Sequence, residues 1–143
     1  MTHLKHMMIA CAALTVAACS PAPAPTADPS VVITRFMDAA AAEDYEVMGR
    51  LWGSRDGPAV EWMDREELRK RLVVIQGFLL HTEYEVLPSA PQVSSGGRLI
   101  LQVRVVTPNK CGPVVNFTVV PYHGDWLLEA IDLNAVRPTR VCR

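Results

Sequence analysis

The chain has 143 residues, with 14 Lys and Arg against 15 Asp and Glu and a formal net charge of -1. That length holds one domain, and a balance so near neutral supplies no broad basic field for generic nucleic-acid binding. With 50% hydrophobic and 20% charged residues, the composition is that of a folding chain and excludes extended disorder.

Met1 to His6 carries Lys5, two histidines and the free amine. Met7 to Cys19 then reads MMIACAALTVAAC, with Thr15 as its single polar residue. A run this short cannot span roughly 30 Å of hydrocarbon, which takes about 20 residues. A basic start, a short apolar stretch and a small-residue ending are the features of a secretory signal. Its last four residues, Val16-Ala17-Ala18-Cys19, resemble the bacterial lipobox. That resemblance implies cleavage just before Cys19 and a diacylglyceryl group on its thiol, so the membrane becomes a partner through a lipid anchor. Each buried acyl methylene contributes about 0.8 kcal/mol to such anchoring. Ser20 stands where Asp is associated with inner-membrane retention, which points to an outer membrane, facing the periplasm, in a Gram-negative cell. Ser20 to Pro29 reads SPAPAPTADP and is a semi-rigid spacer. The expected division is therefore a signal over 1–18, a lipidated cysteine and linker over 19–29, and a folded domain over 30–143.

Processing changes the cysteine arithmetic. Cys11 leaves with the signal and Cys19 is acylated, so Cys111 and Cys142 remain with one possible pairing. Export favours a disulfide, and a bridge closing about 30 residues stabilises by roughly 2–4 kcal/mol. Two cysteines without a CxxC spacing make a poor zinc set, and no metal or cofactor is expected.

Asp28-Pro29 reads as a helix start, with Val32, Phe36, Met37, Ala40 and Ala41 recurring on one face. A short second helix follows Asp44 with the stripe Val47, Met48, Leu51 and Trp52, and Gly53 to Pro58 breaks it. Asp64 and Glu67 form a capping-box-like D-x-x-E, with Met63 and Leu68 placed as a staple. The third helix carries Leu68, Leu72, Ile75 and Leu79 and ends near His81. Its charged residues Arg65, Arg69 and Lys70 read as a solvated face. From Thr82 the period becomes two, giving strands at Thr82–Leu87, Arg98–Val106, Val114–Val120 and Trp126–Leu133. Turns fall at Pro108-Asn109-Lys110 and His123-Gly124. About three helices followed by an antiparallel sheet of about four strands is an α+β arrangement.

Registers follow from the alternation. Val105 pairs with Val115, Val103 with Phe117 and Leu101 with Val119. A two-residue turn pairs Tyr122 with Asp125, hence Val119 with Leu128 and Phe117 with Ala130. The helix-facing surface is then Val103, Val105, Val115, Phe117, Val119, Trp126, Leu128 and Ala130, and residue 136 lies beside Cys111. On the other face Ile100, Val106, Val114, Val120, Leu127, Ile131 and Leu133 form an apolar stripe, which predicts a homodimer through the outer sheet face.

Two segments, VVITRFMDAAAAEDYEVMGRLW and VNFTVVPYHGDWLLEAIDL, resemble the NTF2-like superfamily, also called SnoaL-like or cone-shaped α+β. The resemblance covers about Pro29 to Val136 and implies a strongly bent sheet wrapped round the helices, a conical pocket and frequent dimers.

Motifs for acyl transfer, phosphate binding, dinucleotide binding and zinc hydrolysis are absent. Enzymes of this superfamily resembling ketosteroid isomerase use a pocket carboxylate as base. Asp132, placed on the helix-facing side, is the weak candidate for such a residue, and Tyr45, Trp52 and Tyr84 are candidates to line a pocket. Asp38 reads more simply as an i,i+3 partner of Arg35. The expectation is a lipid-anchored envelope protein binding a small ligand or an envelope protein, with no chemistry. The alternatives are a pocket enzyme of the isomerase or SnoaL-like type, and a structural or assembly lipoprotein.

Overall fold

Asp28 accepts a hydrogen bond from the Ser30 backbone N–H at 2.8 Å and Pro29 takes the first helical position, so α1 (Pro29–Ala41) begins where its signals stand. This is a computed structural model, and it describes residues 25–137. The expected signal, Cys19, the first half of the linker and Cys142 lie outside the described residues.

α1 buries Val32, Ile33, Phe36, Met37, Ala39 and Ala40, so the stripe takes in Ile33 and leaves Ala41 at the surface. Asp44 caps α2 (Tyr45–Leu51) through the Val47 N–H at 3.0 Å. The sequence predicts only a break after it. Instead the chain forms a two-stranded hairpin, β1 (Gly53–Ser54) and β2 (Gly57–Pro58), and a single helical turn, α3 (Ala59–Trp62). Gly57 takes φ +131 in this hairpin, a conformation side chains disfavour, and its carbonyl accepts the Trp62 indole N–H at 3.1 Å. Asp64 then caps α4 (Arg65–Phe78) through the N–H groups of Glu66 and Glu67 at 3.0 and 3.1 Å. Only half of the reciprocal box forms, because the Glu67 carboxylate turns to Arg71 at 2.8 Å.

The sheet comprises β3 (Glu83–Val86), β4 (Gln92–Val93), β5 (Leu99–Val106), β6 (Val114–Tyr122) and β7 (Asp125–Ile131), all antiparallel. Its order is β3-β5-β6-β7, with β4 also on β5. Among the described residues four α-helices and a sheet of five strands are roughly consistent with the expected about three and about four, and the class is α+β.

Two registers differ from expectation. Val103 lies opposite Val115 and Leu101 opposite Phe117, two residues from the predicted pairing. The cause is the β5–β6 turn: Thr107 receives Lys110 N–H at 2.8 Å and bonds Cys111 O at 2.7 Å, with Lys110 at φ 62. That is a three-residue loop centred on Asn109, and it moves the ladder without changing which face is buried. The β6–β7 hairpin holds Tyr122 opposite Asp125 and Val119 opposite Leu128 as predicted, then slips by one, so that Phe117 faces Ile131 and not Ala130. Glu129 is the extra residue of this bulge. A one-residue slip exchanges faces for everything beyond it. Ala130 is accordingly exposed, while Ile131 and Leu133 pack against the core. Val120 and Leu127, paired on the outer face, are 0% and 6% exposed within the single chain. The expected outer stripe therefore shrinks to Ile100, Val106 and Val114.

α1 crosses the inner face from the last strand to the first. At its start the Ala27 carbonyl accepts the Trp126 indole N–H of β7 at 2.8 Å; further along, Asp38 accepts the Tyr84 phenol of β3 at 2.6 Å. Eleven residues at 1.5 Å per residue cover about 16 Å. Three strand spacings of about 4.8 Å cover roughly 14 Å. The helix length and the sheet width match. Phe36, Met37, Met48, Leu72, Phe117 and Leu128 fill the space beneath, each essentially unexposed. The core and the apolar residues packed on it run from Ala27 to Val136, so residues 20–143 contain all of it.

Candidate functional site

Trp52 ends α2 in an extended conformation, φ -92 and ψ 133, and continues beside β7 as a parallel bridge to Leu128. The bulge presents the Glu129 carbonyl to it, and the Trp52 indole N–H donates there at 3.3 Å. With its single donor engaged, Trp52 offers only an apolar ring to its surroundings. α4 supplies the opposite wall, and together they make an open groove of about 400 Å³ lined by Trp52, Lys70, Arg71, Val74 and Ile75. Val74 is 56% exposed there.

The two cations arise from helical spacing. Lys70 pairs with Glu66 at 2.9 Å and Arg71 with Glu67 at 2.8 Å, each four residues back on α4. Arg71 uses its Nε for that contact. The helical pattern places Lys70 on a solvated face and does not by itself connect Arg71, Val74 and Ile75 with Trp52. An apolar residue one turn beyond adjacent cations was the available signal.

The other candidates do not converge on this groove. Tyr45 lies beneath the Arg69 guanidinium at 5.1 Å. Tyr84 bonds Asp38 and stands edge-on to His81, with ring centroids 5.2 Å apart. Burial and the Asp38 carboxylate push its phenol up to about 12. Asp38 thus serves β3, and among the described residues it forms no ion pair with Arg35. Asp132, expected on the helix-facing side, is exposed and caps the turn Leu133–Val136 by accepting the Asn134 N–H at 3.2 Å. The Glu129 bulge is the reason for that reversal. Among the described residues no buried side chain is polar or charged, and no group of three or more His, Cys, Asp or Glu stands where it could hold a metal ion.

On the outer face Arg98, just before β5, reaches Glu129 on β7 across the intervening β6. Its Nη2 donates to Oε1 at 2.8 Å and its Nε to Oε2, a two-pronged contact. Among the described residues no helix is long and apolar enough to cross a membrane.

The described chain is thus an α+β domain with helices on one sheet face and an amphipathic groove at its last strand. No protein-family model and no curated protein matches it. Among solved structures it is similar to a designed NTF2-like protein, Rd1NTF2_05 carrying five substitutions, with 17% identity and a TM-score of 0.47 over 71% of this chain and 92% of that one.

Proposed function

We propose that this is an exported, lipid-anchored envelope protein whose NTF2-like domain binds a small ligand or protein partner and performs no chemistry. The anchor rests on the lipobox-like Val16-Ala17-Ala18-Cys19, and the Pro-rich segment holds the domain off the bilayer. The observation that carries the binding reading is the entirely apolar interior beside an open groove with two cations at its wall. A carboxylate base of the isomerase kind needs a dry seat that perturbs it, and Asp38 and Asp132 both stand at the surface. The apolar core of the described residues is also compatible with the second reading, a structural or assembly lipoprotein. The same chemistry expects Cys111 to bridge to Cys142.

The full chain expressed in its host should fractionate with the envelope and incorporate labelled fatty acid. Cys19→Ala should abolish the label and release the chain. Native mass spectrometry of the envelope-extracted protein should find a bound, chemically unchanged molecule that denaturation releases. Acylation that persists in Cys19→Ala rejects the anchor, and an empty domain favours the structural reading.

A further inference from the structure

The groove at Trp52 combines three properties that select one ligand chemistry. Its apolar walls are Trp52, Val74 and Ile75, its polar lining is Lys70 and Arg71, and none of its lining residues is acidic. The Trp52 N–H is already bonded to the Glu129 carbonyl, so the indole offers a ligand no donor. Arg71 engages Glu67 through Nε, while a guanidinium has five N–H donors in all. Glu66 and Glu67 hold the two cations from the preceding turn and do not line the groove. The volume of about 400 Å³ lies within the roughly 300–1,000 Å³ of small-molecule sites.

From these properties we infer that the groove binds a flat, apolar monoanion, its ring system against Trp52 and Val74 and its carboxylate or sulfonate against Arg71 and Lys70. An apolar body covers the exposed Val74 side chain and stacks on the indole, the arrangement aromatic pairs favour at about 4.5–7 Å. An anion there has cations on one side and no carboxylate among the lining residues to oppose it. A neutral ligand gains the first contribution without the second. A second cation would meet Lys70 and Arg71 and is rejected. The assignment deepens the binding reading by naming the ligand class, and it stands or falls on the groove alone.

The test uses residues 20–143, which hold the whole described core, with 8-anilinonaphthalene-1-sulfonate as the anionic probe and N-phenyl-1-naphthylamine as its neutral analogue. The anionic probe should saturate at one per domain, quench tryptophan emission, and weaken as salt rises from about 0.05 to 0.5 M. Lys70→Gln with Arg71→Gln should weaken it about tenfold or more and leave the neutral analogue unchanged. Val74→Asp should weaken both. All three positions are exposed on α4, so thermal melts should remain close to the parent's. Anionic binding unaltered by the double substitution, or neutral binding as tight as anionic in the parent, overturns the proposal. If the molecule carried by the envelope-extracted protein stays bound after both changes, the domain is a binder and this groove is not its site. If the probe binds as described and the extracted protein is empty, the groove stands and the broader reading fails.

Discussion

Tyr84 donates its phenol to Asp38 at 2.6 Å, joining β3 to α1 across 46 residues of sequence. Burial, and then that carboxylate, raise the phenol from its ordinary 10 to about 12. A group whose folded pKa is raised contributes stability that is complete below its unfolded pKa and disappears as pH climbs through the folded one. The contribution is therefore whole below about pH 10 and fades between about 10 and 12. Tyr84→Phe should lower stability by about 1 kcal/mol at pH 8. The deficit relative to the parent should close by pH 12 in urea titrations. A deficit that stays constant across that window would show that the bond to Asp38 contributes nothing specific.

The Glu129 bulge sets the faces of everything after it. Glu129→Ala removes the Arg98 contact but keeps the extra residue, and should lower stability only slightly in urea unfolding. Deleting Glu129 leaves Ile131 opposite Phe117 in a now regular ladder but removes both the Arg98 contact and the bulge carbonyl that the Trp52 indole bonds, and should cost more than Glu129→Ala. Equal costs for the two variants would mean that the bulge is dispensable.

We propose that Cys111 and Cys142 form a disulfide. Thiol titration of denatured, unreduced residues 20–143 should find no free sulfhydryl, and reduction should expose two. Reduction should lower stability by roughly 2–4 kcal/mol for a loop of about 30 residues. Two free thiols in host-exported protein would rule the pairing out.

The outer face supports a narrower association surface than the alternation implies. Ile100, Val106 and Val114 remain on it, beside Arg104 and Asn116, and only Val114 among the three is exposed, at 39%. Patches that mark interfaces run to several hundred Å². Residues 20–143 should sediment as a monomer at about 10 μM, and Ile131→Asp should unfold the domain because Ile131 packs on the core. A concentration-independent dimer would show that this strip is enough.

Much of the architecture was legible because it rests on local rules. Asp28, Asp44 and Asp64 each announce a helix by capping it, and the odd-numbered residues of β5 and β6 announce the buried face. The three-residue turn at Asn109 kept that parity, so the two-residue error in register left every face correct. The bulge did not keep it. Nothing local in LLEAIDL signals that Glu129 is supernumerary; its reasons are distant, in the Trp52 indole and the Arg98 guanidinium that it serves. The groove was missed for the same cause. Its walls lie on two elements that only the folded chain brings together.

The bond from Trp126 to the Ala27 carbonyl links residues 99 positions apart and sits where the described chain enters α1. Mechanically it is a clasp. Tension arriving from upstream reaches the first helix and the last strand together, so the helix cannot be peeled away turn by turn from its Asp28 cap until the indole has let go.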